Sequence, residues 1–390
     1  MEEQKNNLFV HEFQVARVPI IEEQTGLNHR TPWVFWGIAN LAPQELIRLY
    51  QSSPTHGTCV RSKHLGVRGE DLLIKGGDNG RLQMANSLGD SIYDIWNKAC
   101  LDFILYGQFA LNIVWRRDRD QGFEIYSMDT SKLRAERSDI NDHVNNYYYC
   151  AEWALYRKFP PRKLPSFNVV SEEPSQVFMY VPHTPGQEYY SMPSYWNSAT
   201  AIATEVEVYN WWHSNIINGL NPSLFVSLNS GIPGPEEREQ IFNTLSAKYS
   251  SSNNPGKLLL TFANSKEEAP EITTIQPNGS DKMWIEMNSA VQQAILSSHQ
   301  INPELIGIMT PGALGTSDFL EKQDHFDHLV VAPIANEMKK VFEKLLTLRD
   351  KIPTELEIVP FRMVTIPDAA PVETVDVNKD VTDKTKETIL

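Results

Sequence analysis

The chain has 390 residues, 41% of them hydrophobic and 22% charged, with a formal net charge of −14. That length and apolar content exclude a wholly disordered chain and point to two or more structural regions. The acidic balance argues against a protein that grips nucleic acid through a basic surface, because phosphate neutralisation supplies most of that affinity.

Cys59, Cys100 and Cys150 are far apart and form no CxxC, which argues against a disulfide framework and against a zinc site. Met1 to Asn7 is polar and acidic, without the basic-then-apolar pattern of a signal peptide. No apolar run reaches the ~18 residues of a membrane-spanning helix. The expectation is a protein kept in the reducing interior of the cell that makes it, or in a particle assembled there.

Residues 1–40, with Pro19, Pro32 and scattered polar residues, are expected to form an irregular N-terminal arm. Helical periodicity starts at Ala42, where Leu46, Ile47 and Tyr50 share a face behind Pro43. A second helix is expected over 87–105, with Leu88, Ile92, Ile95, Trp96, Ala99 and Phe103 at three- and four-residue steps. The period then changes to two. Gly107 to Trp115 and Phe123 to Met128, joined by a charged turn closing on Gly122, read as a hairpin. Tyr147 to Leu155 and Val177 to Val181 read as further strands, so 41–190 is an α+β region.

A long helix opens at Ser191-Met-Pro193 and stops at Asn218-Gly219, with Tyr195, Ala199, Ile202, Val206, Tyr209 and Ile216 on one stripe. Trp211 and Trp212 are adjacent, so they point to different sides of it. Strands at 224–228 and 257–262 flank a short helix that starts at Pro235. A second long helix is expected from Ser280 to Asn302, with Trp284, Met287, Val291, Ala294 and Ser298 on one face. The small residues of Pro311 to Ser317 read as a flexible loop. A last helix runs over 318–348, with Asp318 and Glu321 as a capping-box-like start and Pro333 as a kink. A strand at 355–364 precedes an acidic, Thr- and Lys-rich tail expected to be disordered.

Long helix, β-α-β module, long helix, glycine-containing loop, kinked helix: this order resembles the core of phage portal proteins of the HK97-type family. Local sequence is similar as well, at Leu105 to Trp115, Met128 to Arg134, Met192 to Tyr195, Ile217 to Pro222 and His299 to Gly307. The resemblance covers about residues 40–365 and rests on the ordered series of segments, none of which is specific alone. It implies an α+β portal fold with an N-terminal arm (1–40), an α/β wing (41–190), two antiparallel stem helices (191–221 and 280–307) and a β-α-β clip (222–279). A tunnel loop (308–317), a kinked tunnel helix (318–350), a closing wing strand (351–366) and a tail (367–390) with a reduced or absent crown complete it.

The resemblance further implies a structural subunit with no catalytic, cofactor or metal site. It would form a dodecameric ring at the portal vertex of a virion assembled in a bacterial cytoplasm. Its partners would be the terminase large subunit, a major capsid or scaffold protein, a head–tail connector, and double-stranded DNA passing without sequence-specific binding, with no membrane involved. The expected tunnel-loop residues are Gly312, Ala313, Leu314, Gly315, Thr316 and Ser317; Glu205, Glu207 and Glu286 would give the stem an acidic lining; and Glu236, Glu237, Arg238 and Lys248 would face terminase or adaptor.

Two other readings compete. Another oligomeric head–tail connector or minor capsid protein would share ring symmetry, though a β-α-β insertion between two long helices argues against it. A metal-dependent nuclease is suggested by Glu321, Asp324, His325, Asp327 and His328, of which Glu321, His325 and His328 share a helical face. No HExxH, second cluster or matching carboxylate pair accompanies them, and neither GxxxxGKS/T nor GxSxG occurs.

Overall fold

The computed structural model describes residues 21–24, 31–217, 224–228, 234, 236–237, 239–241, 258–262, 280–308 and 316–361. Two short antiparallel strands, β1 (Glu23–Gln24) and β2 (Phe35–Trp36), open it. The latter part of the expected loose arm is in fact core: Val34 and Trp36 are wholly buried, and Trp36 stacks on Tyr190 with ring centroids 4.5 Å apart. Four aromatic or β-branched residues in a row, Trp33 to Phe35 among them, bury on both faces and so show no alternation.

Helix α1 (Ala42–Ser52) inserts Leu46 and Leu49. Ser53 then serves two helices. Its N–H donates to the Leu49 carbonyl, and its hydroxyl accepts from the His56 N–H at the start of α2 (Pro54–Arg68). Sequence periodicity does not mark α2, because its buried face includes Thr55, His56, Gly57, Ser62 and Lys63.

After strand β3 (Asp71–Ile74) comes helix α3 (Ile92–Tyr106), which starts five residues later than its apolar pattern suggests. Ser91 and Asp94 form a reciprocal capping box there. Upstream, the Asn86 side chain accepts from the Leu88 and Asp90 N–H groups and holds a turn through Gly89 (φ 90°). Gly107 ends the helix in the left-handed region (φ 78°), where a Cβ would come within 2.7 Å of the Met192 carbonyl.

Strands β4 (Phe109–Trp115) and β5 (Phe123–Met128) form the expected antiparallel hairpin, in register Ile113 with Ile125. A second antiparallel sheet holds β6 (Leu133–Ala135), β7 (Asn146–Tyr149) and β8 (Arg162–Pro165). The expected 147–155 strand stops at Tyr149, and Trp153 to Leu155 turn as a 3-10 helix. That turn lays Trp153 over the guanidinium of Arg134, 4.7 Å from the ring centroid. Arg134 is fully buried and donates to the Asn40 side chain and to the carbonyls of Asn40, Ser131 and Leu133. Strand β9 (Ser175–Tyr180) joins the other edge of β4.

Helix α4 (Ala199–Ile217) follows a 3-10 turn at Trp196–Ser198. Strands β10 (Leu224–Leu228) and β11 (Leu258–Phe262) pair in parallel, from Leu224 opposite Leu258 to Leu228 opposite Phe262. Parallel neighbours need a crossover, and helical residues 236, 237 and 239–241 lie between them, as the β-α-β reading requires. Helix α5 (Ser280–His299) packs along α4.

The last helix starts at Thr316, two residues before the expected cap at Asp318. It runs as α6 (Thr316–Phe326), a π turn (Asp327–Val331) and α7 (Ala332–Asp350). The expected kink thus takes the form of a widened turn: Pro333 has no N–H for the Leu329 carbonyl, and the Ala332 N–H reaches Asp327 O instead. Phe342 carries α7 into the main core, its ring 5.1 Å from Trp96 and 5.9 Å from Phe109. Strand β12 (Leu356–Val359) returns to pair antiparallel with β3, so the expected 355–364 strand is shorter than its pattern within the residues described. The 367–390 tail lies outside the described residues. Among them, no helix is long and apolar enough to cross a membrane.

Candidate functional site

The residues expected to line a channel separate in the structure. Glu207 and Glu286 are exposed on the two long helices. Glu205 is a correction: it is 0% exposed and faces the protein interior, so it adds no charge to a solvated surface of the subunit. Two helical residues on, Glu207 points about 200° away, which is why one is buried and the other is not. Glu236 and Glu237 are exposed and helical, while Arg238 and Lys248 lie outside the described residues, as do Gly312, Ala313, Leu314 and Gly315. Thr316 and Ser317 belong to the first turn of α6 rather than to a loop.

Glu205 marks a buried polar cluster where both long helices meet the body. The first N–H groups of α2 have no intrahelical partners. Glu205 supplies them with an acceptor from α4: its Oε2 accepts from the Thr55 N–H (3.3 Å) and from the Ser53 hydroxyl, and its Oε1 accepts from the Thr55 hydroxyl (2.5 Å). A carboxylate at a helix N-terminus is favoured by the helix dipole as well.

The next residue of α2 reaches the other long helix. Nδ1 of His56 lies 2.9 Å from Nε2 of His299, the last residue of α5. The ring of Tyr195 stacks on His299 at 5.2 Å and sits 4.4 Å from His56, and its hydroxyl donates to Leu105 O at the end of α3 (2.7 Å). Ser198, just before α4, and Ser298 in α5 share a hydrogen bond of 2.6 Å. Both imidazoles are wholly buried, and His56 Nε2 and His299 Nδ1 have no partner among the described residues.

Burial sets the electrostatics. It lowers the His56 pKa from 6.5 to about 3, with Lys63 adding to the effect, and it holds His299 well below 6.5 with help from Lys63 and His56. Lys63, also buried, falls to about 8, and the neighbouring Cys59 thiol is pushed up to about 12, again chiefly by burial. All three cysteines are free and buried, and burial raises Cys100 strongly too, so these two are poor nucleophiles.

The 318–328 cluster is dispersed. Glu321 and His325 line a cavity of about 270 Å³ with Gln300, Asn302, Lys322 and Phe326, while His328 lines a different one beside Gly66 and Phe361. Among the described residues no group of three or more His, Cys, Asp or Glu side chains is placed to hold a metal ion.

Sequence reasoning missed His56, Lys63 and His299, and it placed Glu205 on the wrong side of its helix. One available signal was the Ser53-Pro54 pair, an N-cap followed by a proline at the first helical position, which announces α2.

No protein-family profile matches the chain. An uncharacterised protein of Rickettsia felis is 27% identical over 136 residues, 34% of this chain and 34% of the relative, so the match spans about a third of each. A chain in the virion of a native gene transfer agent particle superposes with a TM-score of 0.54 at 15% identity, covering 82% of this chain and 83% of that one. A chain in the neck of the native particle, computed with C12 symmetry, gives 0.53 at 16% identity, covering 83% and 85%. An HK97 family phage portal protein from Corynebacterium diphtheriae is also matched, more loosely, with a TM-score of 0.47 at 12% identity over 80% of this chain and 94% of that one. At these identities what is shared is the fold, and this chain has the fold of a gene transfer agent particle component.

Proposed function

We propose that this chain is a portal subunit: it closes into a ring, twelvefold in the particle, and conducts double-stranded DNA during packaging and ejection at one vertex of a viral head. The observation that carries the reading is the shared fold with a chain of a particle neck of C12 symmetry over 83% of this chain. The wing is residues 41–190 with the strand returning to β3, α4 and α5 are the stem, and 222–279 is the clip. The tunnel loop is the segment before α6, with Gly312, Ala313, Leu314 and Gly315, and the helix behind it flexes at its π turn. The clip residues Glu236, Glu237, Arg238 and Lys248 meet the terminase large subunit and later the head–tail connector. The wing meets capsid or scaffold protein.

A conduit functions by not holding its cargo. The net charge of −14 and the exposed carboxylates Glu207 and Glu286 suit a wall that repels phosphate and leaves DNA to its own counterions. Negative-stain electron microscopy with a solution mass tests the reading: rings with a central hole are the expected result. A chain that stays monomeric with scaffold present, and that cuts DNA with added divalent metal, would overturn it. Proline at both Gly312 and Gly315 is expected to stall head filling while leaving rings intact; normally filled heads would remove the tunnel-loop assignment.

A further inference from the structure

The junction between the body and the two long helices is built from polar groups that only a fixed geometry satisfies. Three elements of different origin converge there: the N-terminus of α2, the first third of α4 and the last residue of α5. Each is tied to α2 by one kind of bond. The α4 tie is a carboxylate on helix N–H and hydroxyl donors, and the α5 tie is one imidazole on another. We propose that Glu205 and the His56–His299 pair form a pH-sensitive latch that fixes the angle of the long-helix pair against the body, and that acid releases it.

The chemistry of the pair gives the direction. Two neutral imidazoles share one hydrogen bond, one ring donating and the other accepting. Protonating both puts a hydrogen on each of the two facing nitrogens and abolishes the bond. Even one added proton places a cation in a buried site beside the Lys63 ammonium. The groups that face the pair offer little compensation. Cys59 and Lys63 come from α2, Tyr195 from the turn before α4, and Tyr106 behind it from α3. Glu205 from α4 is already occupied by Ser53 and Thr55. The relief for an imidazolium is to reach water, which requires the latch to part.

The sign follows from linkage. His56 is held at about 3 against an ordinary 6.5, and His299 is likewise depressed. The closed latch therefore has its full strength above 6.5 and loses it as pH falls from 6.5 towards 3, because the open form takes up protons that the closed form refuses. Each histidine that is free to protonate only when open favours opening by about tenfold per pH unit in that window.

Other groups titrate in the opposite sense, so a local readout is needed. Asp102, which accepts from the Thr130 N–H and hydroxyl, has its carboxyl pushed by burial up to about 7, and it strengthens the fold as pH falls. The experiment is hydrogen exchange of the full-length chain from about pH 7.5 to about pH 5, a range that spans free-imidazole titration. Protection is corrected for intrinsic exchange and compared between the α4 and α5 amides near the junction and the β4–β5–β9 sheet. The expected result is a loss of protection at the junction of about tenfold or more, with the sheet unchanged, and no such loss in a His56→Gln/His299→Gln variant. The proposal is overturned if junction and sheet change in parallel, if the junction is indifferent to pH, or if the double variant keeps the same acid response. Should the double variant not fold, the comparison of junction with sheet in the native sequence still decides.

Discussion

Two joints hold helices to the same body, and they are made of opposite materials. The seat of α7 is apolar: Phe342 lies against Trp96 and Phe109, with Met338 and Leu346 wholly buried around it. The base of α4 and α5 is polar: Glu205, Ser53, Thr55, His56 and His299 meet in the interior. Apolar contact is strong and non-directional, so it fixes that α7 is attached more than how. Buried hydrogen bonds add little net energy when made, cost much when broken, and tolerate few orientations. The apolar seat supplies stability, and the polar base supplies an angle.

Phe342→Ala sharpens this comparison with the largest expected effect. It removes a wholly buried ring from between two others and is expected to cost about 3–5 kcal/mol, read as a lower midpoint in denaturant, with little dependence on pH. Glu205→Ala comes next. It leaves the Ser53 and Thr55 hydroxyls and the Thr55 N–H without their acceptor, a loss of about 1.5–3 kcal/mol. Glu205→Gln keeps an acceptor oxygen and is expected to recover part of it. If Glu205→Ala proved harmless while Phe342→Ala did not, the polar base would be an incidental contact.

The apolar half of this comparison was legible in the sequence, and the polar half was not. Period-two alternation marked β4 and β5, and three- and four-residue spacing marked α3, because each element buries one side more deeply than the other. Pro333 announced a kink, although nothing local distinguishes a π turn from a break. Helix α2 left no periodic trace beyond its Ser53-Pro54 start, because its buried face carries Thr55, His56, Gly57 and Lys63, which reads as surface. Glu205 was misplaced for the same reason: a lone carboxylate on a helix is usually solvated, and only the fold brings an N-terminus from 150 residues away to satisfy it. Residues whose partners are distant in sequence carry no periodic trace.

Ser91→Ala probes a polar contact that is local rather than a joint. The capping box satisfies N–H groups within one turn of chain, so its loss is expected to cost about 1 kcal/mol without altering how α3 packs. A larger loss, or a change in exchange at the base of α4 and α5, would mean that α3 transmits strain to the polar base through Tyr195, whose hydroxyl donates to Leu105 O.

The smallest effect is expected where a polar contact joins distant segments but stays in water. Lys75 and Glu355 pair at 3.0 Å across β3 and β12, each about 63% exposed. They are 280 residues apart, further than the 150 and 243 of the latch contacts, yet solvent screens the attraction, and each partner keeps a hydration shell when the other is removed. The strand pair is held instead by its backbone ladder and by Leu72 and Leu356, both nearly inaccessible. Lys75→Ala should leave the denaturation midpoint unchanged within error, at low and at high salt. A measurable, salt-sensitive drop would show that sequence-distant ion pairs carry weight here whether or not they are buried. Burial would then no longer be what separates the base of α4 and α5 from the rest of the polar surface.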